Sequence, residues 1–349
     1  MHVVLDFDGT ITVDDTIEQL ASYAVAFQEA QDAKCSLDKR SNGQKGEWEA
    51  RWTGIVEQYI ADHRAHKAGY TPPETARTTL GHELQFLNSL NCVERKSIYR
   101  LRDARLFAGM TPEDLYQGGY QAVERGQDCA NQDRKNAVRL RPGFTTFLEQ
   151  MSKQRKWPVS IVSVNWSDAW IRGVLQADDN HSEGTAIRVF ANKVTASGAI
   201  IPNFPRRSVP AGHDHEKDDN TPFSTCTDKA EALDEAVAAS ARSQPEQPAA
   251  VIYMGDSMTD VECLMKAGLN KDGGGGGIAM ADGDGPVTSK LIQTLIRLGY
   301  AVPHVSEAQQ FQRPRRADEG DVPRLAWARD FEEIMASKIL DEPTELANA

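Results

Sequence analysis

Short runs of apolar residues recur along this chain, and polar side chains follow each run at once. Runs of this length that are rich in β-branched residues are typical of strands buried on both faces of a parallel sheet. We therefore predict four buried strands, at His2–Leu5, Pro158–Val164, Ala249–Met254 and Ile278–Ala281. Two shorter strands are predicted at Ile187–Phe190 and Ala199–Ile201.

Between the first and second runs, apolar residues recur at helical spacing, as in Trp48, Trp52 and Ile55. Strand-like alternation of any strength is missing from this stretch, so the pattern predicts a helical insertion over residues 14–138. Its helices are expected around Trp48–Ile60 and at Glu18–Glu29, Thr78–Leu90, Val93–Arg105 and Pro112–Gly126.

Helical patterns also separate the later runs, and strands alternating with helices predict an α/β fold. We predict further helices at Gly143–Gln154, Asp168–Gln176, Asp228–Ser240, Val261–Ala267 and Pro286–Leu298, and an amphipathic C-terminal helix at Leu325–Ile339. Polar loops are predicted at Pro202–Pro222 and Ala241–Pro248. The run Gly273–Gly277 lacks the Lys-Ser/Thr pair of a phosphate-binding P-loop, so we expect a flexible connection there.

Composition narrows the range of partners. The chain has 349 residues and a net charge of -12, which argues against a nucleic-acid partner or an anionic membrane surface. No apolar stretch is long enough to span a bilayer, and the acidic pair that begins at Asp6 argues against a secretory signal. The five cysteines are scattered and odd in number, as expected for reduced thiols in a cytoplasmic protein. The oligomeric state is left open.

Two carboxylates, Asp6 and Asp8, follow the first predicted strand directly, and Gly9 follows them. Residues two apart on a strand face the same way, so these two side chains can converge on one point. Ligands of open α/β sheets bind outside the carboxyl ends of the strands, where this pair is placed. Two carboxylates this close repel each other, and each raises the pKa of the other. We therefore expect a divalent cation to balance their charge, and ligands that are all oxygen favour magnesium.

The other predicted strand ends carry complementary groups. Ser163 ends the second strand, Asp256 follows the third strand with Asp260 one helical turn later, and Lys229 lies in the first turn of a predicted helix. In phosphoryl transfer, Ser163 can hydrogen-bond the phosphoryl oxygens and Lys229 can neutralise them. Asp260 can bind a metal through water or hold Lys229.

These groups complete a set of roles for phosphoryl transfer. Asp6 can attack phosphorus and carry a covalent aspartyl-phosphate. Asp8 can protonate the leaving oxygen and later activate water. Asp256 can complete a magnesium site together with Asp6 and the backbone carbonyl of Asp8.

With these motifs in view, the chain resembles the phosphatases of the haloacid-dehalogenase (HAD) superfamily. Asp6-Phe7-Asp8-Gly9-Thr10 is similar to their Asp-x-Asp-Gly-Thr signature, and Gly255-Asp256-Ser257-x-x-Asp260 is similar to their acidic motif. The resemblance implies magnesium-dependent hydrolysis of a small phosphorylated metabolite, with Gly9 and Thr10 supporting the first motif.

The resemblance also implies a domain organisation. It covers residues 1–13 and about 139–300, and it implies a Rossmannoid parallel-sheet core with helices on both faces. The core is expected to comprise residues 1–13 and 139–310. Residues 14–138 would form a helical cap, as in the phosphoserine-phosphatase-like branch of the superfamily. Residues 311–349 would form a C-terminal extension with the amphipathic helix.

The sequence departs from that branch at two places. Asp15 stands near the position where serine-specific phosphatases have a glutamate that binds the substrate amine. Val164 and Asn165 replace the two glycines that follow the serine of the second motif, and phosphoserine is therefore not the expected substrate. Asn165 is expected to replace a backbone amide contact with its side chain. Trp166 is open to two interpretations, a residue at the site's entrance or a packing residue.

Other polar clusters have less specific signals. Lys193 and Lys217 are rivals of Lys229, which is preferred because it begins a helix leading into the third strand. The segment Phe107–Met110 contains a glycine turn and is the preferred cap contact to a ligand. We expect His63 and His66 to lie on a solvated helix face. The same is expected of the basic run Arg95, Lys96, Arg100, Arg102 and Arg105. The segment His213–Glu216 is a weak metal candidate, because it lacks a third ligand.

Three alternatives to a phosphatase remain at this point. A haloacid-dehalogenase-type hydrolase would need no acid at the position of Asp8. A receiver-like signalling module would be shorter and would lack the insertion. An inactive scaffold is disfavoured by the intact set of Asp6, Asp8, Lys229 and Asp256.

Overall fold

A computed structural model describes residues 1–38, 46–127, 137–176, 187–205, 220–243, 250–269, 275–312 and 322–341. These residues form an α/β fold around a parallel sheet of six strands in the order β3-β2-β1-β6-β7-β8, and β4 and β5 form a separate antiparallel pair. The strands are β1 His2–Leu5, β2 Val159–Val162, β3 Arg188–Phe190, β4 Asn192–Val194, β5 Ile200–Pro202, β6 Val251–Gly255, β7 Gly275–Met280 and β8 Leu325–Ala328.

Helices cover both faces of this sheet. Five of the described helices lie between β1 and β2 in the insertion: α1 Ile17–Asp38, α2 Glu47–Gly69, α3 Leu80–Ser89, α4 Asn91–Asp103 and α5 Pro112–Gln127. The others are α6 Phe144–Glu149, α7 Asp168–Leu175, α8 Cys226–Ser243, α9 Val261–Gly268, α10 Gly285–Thr288, α11 Lys290–Arg297 and α12 Phe331–Ser337. None of the helices in the described part of the chain combines the length and hydropathy needed to cross a membrane.

Burial on both faces explains the continuous apolar runs in the sequence. Val3 and Leu5 of β1 pack into one hydrophobic cluster with residues of α5, α6 and α7. Val4, between them, packs into the second cluster with residues of α8 and α9. Alternate side chains of the strand therefore enter opposite cores, which is the arrangement of a doubly covered parallel sheet.

The chain adds β2 and β3 on one side of β1 and then continues on the other side with β6, β7 and β8. Val3 pairs with Val159 of β2 on one side and with Ile252 of β6 on the other, and both pairings are parallel. A crevice opens at such a switch point, at the carboxyl ends of the central strands. The residues after β1, β2 and β6 are therefore the ones that the fold brings together.

The prediction for the glycine run was wrong within the described residues, because β7 begins at Gly275 and includes Gly276 and Gly277. A Cβ on Gly276 would lie 2.4 Å from the Phe311 ring, and one on Gly275 would lie 2.4 Å from the Val251 carbonyl oxygen. The glycines allow close packing on both faces of the strand rather than flexibility. Residues 270–274 lie outside the described residues.

The C-terminal helix was also predicted incorrectly, because Leu325–Ala328 forms β8 and only Phe331–Ser337 is helical. The alternating small and large side chains of a short edge strand had been assigned to a helical face. The structure thus places a strand of the core sheet within residues 311–349. The helix predicted at Pro286–Leu298 is broken at Ser289, whose side chain caps α11. The helix predicted to end at Ser240 continues to Ser243.

The insertion contacts the core at several places. Its two connections pair with each other, because Thr12 bridges Leu140 and the Val13 amide donates to the Arg139 carbonyl at 2.9 Å. α5 packs closely on α7, where a Cβ on Gly173 would lie 2.0 Å from the Tyr116 carbonyl oxygen. Close backbone approach of this kind requires small residues. The limits of the cap as a domain stay a prediction.

A buried ion pair anchors α3 to the core as well. Glu83 accepts hydrogen bonds from Arg77 at 2.9 Å and from Arg297 of α11 at 2.8 Å. Phe86 and Leu87 of α3 belong to the hydrophobic cluster that covers the α8 face of the sheet. Buried charges of this kind require partners, so this contact joins insertion and core through both charge and apolar packing.

Candidate active site

A buried ion pair lies at the carboxyl end of β1. The Nζ of Lys229 lies 2.7 Å from Oδ2 of Asp6, and the two side chains are 0% and 5% exposed. Burial and the Asp260 carboxylate raise the pKa of Asp6 well above its usual value, although Lys229 opposes the shift. Burial alone would lower the pKa of Lys229, but Asp260 and Asp6 outweigh it and raise that pKa.

The start of α8 places Lys229 at this position. The Thr225 hydroxyl accepts a hydrogen bond from the Asp228 amide, and the Asp228 carboxylate accepts one from the Thr225 amide, each at 3.1 Å. This reciprocal arrangement is a capping box, and it fixes the first turn of the helix. The sequence signal Thr225-x-x-Asp228 therefore explains why Lys229 begins a helix with its side chain directed at β1.

Asp260 and Tyr253 hold the other side of Lys229. Oδ1 of Asp260 lies 2.6 Å from the lysine Nζ and accepts a hydrogen bond from the Tyr253 hydroxyl at 2.6 Å. Oδ2 of Asp260 accepts from the amide and hydroxyl of Ser257, each at 2.9 Å. Sequence reasoning missed Tyr253, because an aromatic residue in a strand is normally a packing residue.

Asp8 is held by three donors from two different elements. Its Oδ1 accepts from the amide and hydroxyl of Thr16 at 2.9 and 2.7 Å, and its Oδ2 accepts from Nδ2 of Asn165 at 2.8 Å. The Trp170 indole donates to the Thr16 hydroxyl at 3.1 Å. Burial raises the pKa of Asp8 more than the hydrogen bonds of Thr16 and Asn165 lower it. This arrangement orients the carboxyl and favours a protonated fraction.

Asp256 approaches the chain at Gly9. A Cβ on Gly9 would lie 2.2 Å from Oδ2 of Asp256, and the φ of Gly9 is +68°, so a glycine is required here on two grounds. The Thr10 hydroxyl donates to Oδ1 of Asp256 at 3.0 Å. Burial and then Asp260 raise the pKa of Asp256 to about 7.

Magnesium fits this donor set. Asp6, Asp256 and Asp260 offer carboxylate oxygens that lie within 4.8 Å of one another. Asp260 already binds Lys229, Tyr253 and Ser257 through its two oxygens. Asp6 accepts from Lys229 and the Phe7 amide, and Asp256 accepts from the Thr10 hydroxyl, so these two carboxylates keep more acceptor capacity for a metal. Asp256 is half-buried beside other carboxylates, and a neutral hydroxyl is its hydrogen-bond donor, so a divalent cation would stabilise this site.

Ser163 completes the floor of the site. It is fully buried, and its hydroxyl accepts a hydrogen bond from the Asn165 amide at 3.2 Å. The Ser163 amide donates to the Phe190 carbonyl at 3.0 Å, which fixes the end of β2. The Asn165 side chain therefore contacts Asp8, and its backbone contacts Ser163.

Arg141 is a further site residue that the sequence analysis missed. Its buried guanidinium donates to the backbone carbonyls of Gly9, Thr10 and Arg329. It also donates to the Asp282 carboxylate. The carbonyls of the loop after β1 are thereby held by the segment that returns from the insertion. A buried arginine needs several acceptors, and the sequence alone does not identify them.

A cavity of about 720 Å³ lies above these residues. Asp6, Asp8, Ser163, Asn165 and Asp256 line its floor. Asp15, which precedes α1, and residues of α1, α2 and α4 also line the cavity. We call this set the helical wall: Asp15, Ile17, Glu18, Glu49, Trp52, Thr53, Ile55, Val56, Glu57, Tyr59, Glu94, Ser97 and Ile98. The cavity is large enough for a small organic molecule.

Several other predicted residues can now be placed. Trp166 lines the cavity and also packs edge-on against Trp52 and Phe107, so both of its interpretations hold. Asp15 lines the cavity too, and burial followed by the charge of Asp8 raises its pKa to about 7. The prediction for Phe107–Met110 was wrong, because this segment packs on the turn near Gly198 and does not line the cavity.

The weaker candidates lie away from the cavity. Lys193 is on β4 and borders a different pocket with Arg172. Lys217 and the segment His213–Glu216 lie outside the described residues. His66 hydrogen-bonds Ser89 at 2.7 Å. In the basic run, Arg100 pairs with Asp62 and Arg102 with Asp103.

Comparisons with known proteins were made for sequence and for structure. No family model matches the chain. A CTO1 family protein of Schizosaccharomyces pombe is 25% identical over 276 residues, which is 76% of this chain and 78% of that protein. A substrate-bound phosphoserine phosphatase structure is 14% identical, with a TM-score of 0.41 and 96% of each chain covered. A HAD family hydrolase from Salmonella enterica serovar Typhi is 15% identical, with a TM-score of 0.41, and covers 98% of this chain and 72% of its own.

The fold of this chain can be judged from its own strand order and connections. The strand order, the insertion directly after β1 and the side chains at the ends of β1, β2 and β6 agree with the expected Rossmannoid core. The α/β class predicted from the sequence is confirmed. The chain has an α/β fold with a six-stranded parallel sheet and a helical insertion directly after β1.

Proposed function

We propose that this protein is a magnesium-dependent phosphomonoesterase that acts on a small phosphorylated metabolite through an aspartyl-phosphate intermediate. The observation that carries the proposal is the convergence of Asp6, Asp8, Ser163 and Asp256 on one cavity with the Lys229 ammonium 2.7 Å from Asp6. Phosphoryl transfer depends mainly on positioning and charge neutralisation, and this arrangement provides both. A cytoplasmic location stays a prediction.

In the first step, a carboxylate oxygen of Asp6 attacks phosphorus and the bond from phosphorus to the ester oxygen breaks. Asp8 gives its proton to that leaving oxygen, which requires the protonated form that its raised pKa favours. In the second step, Asp8 takes a proton from water as the water attacks phosphorus. The bond to Asp6 then breaks, and inorganic phosphate and the free Asp6 carboxylate are released.

The surrounding residues stabilise the phosphoryl group. Ser163 would donate a hydrogen bond to its oxygens, and the cationic Lys229 would balance their charge. Asp260 and Tyr253 hold the lysine in place. Magnesium, held by Asp6, Asp256 and the backbone carbonyl of Asp8, would supply further positive charge beside the phosphoryl oxygens. Asn165 and Thr16 orient Asp8 toward its proton-transfer role.

Asp8 also favours ester hydrolysis over removal of a halogen. A halide leaves as an anion without a proton, whereas an alkoxide leaving group needs one. The structure devotes three donors from Thr16 and Asn165 to the orientation of the Asp8 carboxyl. Such positioning supports a reaction that uses an acid at this place.

The direct test is hydrolysis of p-nitrophenyl phosphate by the full chain, with magnesium and with EDTA. We expect turnover that requires magnesium. Asp6→Asn should reduce turnover at least about 100-fold, because a covalent nucleophile is lost. Asp103→Asn, at an exposed carboxylate on α4, is the matched control and should retain activity. More than about a hundredth of the wild-type rate in Asp6→Asn would contradict the nucleophile assignment.

A further inference from the structure

The helical wall combines carboxylates with aromatic rings. Glu49, Glu57 and Glu94 line the cavity from α2 and α4, and Trp52 and Tyr59 lie among them. Trp166 faces the same space from the core side and contacts Trp52 edge-on, with ring centroids 6.2 Å apart. Aromatic faces carry negative partial charge, so they add to the negative potential of the carboxylates.

The lining of the cavity is unequal in charge. Among the described residues that line the cavity, none is Arg, Lys or His. Lys229 lies below the floor, where it is already bound to Asp6 and Asp260. Magnesium at the floor would be neutralised by the floor carboxylates and the substrate phosphate. The wall therefore offers its negative charge to a cation bound in the cavity.

Glu94 is the wall carboxylate whose surroundings are best defined. It is partly buried between α2 and α4, and it accepts a hydrogen bond from the Tyr59 hydroxyl at 2.9 Å. That donor is neutral, and burial raises the pKa of Glu94. A carboxylate that is enclosed with a neutral donor, at the edge of an aromatic surface, is a favourable site for a cation.

A second group in the cavity also lacks a partner. Ser224 lines the cavity, is 9% exposed, and its hydroxyl has no hydrogen-bond partner in the described structure. Its backbone amide donates to the Asp228 carboxylate at 3.1 Å. A buried hydroxyl without a partner is destabilising, so a ligand that hydrogen-bonds Ser224 would satisfy it.

We propose that the substrates are phosphate monoesters whose leaving group carries an ammonium cation and no carboxylate or second phosphate. This inference rests on the proposed phosphatase function and assigns its substrate class. The phosphate would lie at the floor, the cation would lie against Glu94, Trp52 and Tyr59, and Ser224 would donate to an oxygen of the bound molecule.

The charge of the wall gives the order of preference. An ammonium group gains from carboxylates and rings together, and its attraction is strong because the cavity is partly shielded from water. A neutral group of the same size gains only apolar contacts. An anionic group would meet the wall carboxylates without any described cationic side chain to receive it, which argues against amino-acid phosphates and sugar diphosphates.

The first experiment measures kcat/KM for three esters of similar size, 2-aminoethyl phosphate, ethyl phosphate and carboxymethyl phosphate. We expect 2-aminoethyl phosphate to exceed ethyl phosphate at least about tenfold, with carboxymethyl phosphate lowest. Glu94→Gln should reduce the ratio of the first two about tenfold. Glu47→Gln, on the exposed side of α2, should leave the ratio unchanged. Equal rates for the three esters, or an unchanged ratio in Glu94→Gln, would overturn the proposal.

The second experiment measures binding without turnover. Calorimetry in the presence of magnesium compares 2-aminoethylphosphonate with phosphonoacetate, neither of which has an ester bond to hydrolyse. Tighter binding of the aminophosphonate by at least about tenfold supports the cation preference even if no ester is hydrolysed. Equal binding, or tighter binding of phosphonoacetate, would overturn it. Failure of the phosphatase function would instead appear as absence of p-nitrophenyl phosphate turnover.

Discussion

The floor of the cavity and its helical wall handle negative charge in opposite ways. At the floor, Asp6 shares Lys229 with the buried Asp260, and Asp8 receives three hydrogen bonds. On the wall, Glu94 receives a hydrogen bond from the neutral Tyr59. The floor is arranged to keep its own groups in place, whereas the wall leaves charge available for a ligand. We infer that reaction chemistry and substrate choice are separated between these two surfaces.

The largest effect should come from Asp256, the floor carboxylate that lacks a cationic partner. Asp256→Ala should lower magnesium-dependent turnover at least about 100-fold, because the metal loses a ligand. Asp284→Ala, at an exposed position before α10, is the control. Magnesium binding by the two variants, measured by calorimetry, checks the cause. Wild-type affinity in Asp256→Ala would show that the floor does not use this residue for the metal.

The same residue predicts a pH dependence. Burial and Asp260 raise the pKa of Asp256 to about 7, so a proton competes with the metal below that pH. The magnesium concentration for half-maximal activity should rise about tenfold for each pH unit below 7 and level off above it. Titrations of activity with magnesium between pH 5.5 and 8.5 measure this. A constant requirement across that range would contradict the assignment.

The attachment of the insertion to the core can be weakened at the contact between α5 and α7, which carry none of the wall residues. Gly173→Ala would place a Cβ 2.0 Å from the Tyr116 carbonyl oxygen and should reduce the free energy of unfolding by about 2 kcal/mol. Gly54→Ala on α2 meets nothing within 4 Å and should be neutral or stabilising by about 0.5 kcal/mol. Urea denaturation measures both. Equal stability of the two variants would mean that α5 and α7 separate easily.

Tyr253→Phe should have the smallest effect, and it tests the support of the floor. The substitution keeps the ring but removes the donor to Asp260, so Lys229 should be held less firmly. We expect kcat to fall about tenfold, with KM changed less than about twofold. Tyr99→Phe, at an exposed ring on α4, is the control. A proportional rise in KM instead would place Tyr253 in substrate binding rather than in positioning of the lysine.

The two surfaces also differ in how far the sequence predicts them. Floor residues follow directly after strands, and the carboxyl ends of neighbouring parallel strands must meet, so Asp6, Ser163 and Asp256 could be grouped from the pattern alone. Their assigned roles stay predictions. Wall residues such as Glu94 come from helices, where a charged side chain usually marks a solvated face. Only the packing of α2 against α4 shows that it lines a cavity.

Errors in the predicted elements arose where tertiary contacts override local patterns. Gly275–Gly277 form a strand because Phe311 and Leu264 occupy the space that side chains would take. Leu325–Ala328 form a strand because β7 pairs with them. These contacts join residues that are distant in sequence, so local propensity could not predict the two strands. Tyr253 was missed for a different reason, because its partner Asp260 is only seven residues away but the hydrogen bond between them is evident only in the folded chain.

The position of β8 at the sheet edge has a consequence for synthesis of the protein. Until Leu325–Ala328 leaves the ribosome, β7 presents an unpaired edge of glycine and apolar residues. Such an edge can pair with other chains, and nascent chains are exposed to this hazard while later strands are still missing. The Arg329 carbonyl, which binds Arg141 behind the loop after β1, also arrives at this late stage. Shortened forms that stop before β8 should therefore aggregate during expression and lack an ordered catalytic loop.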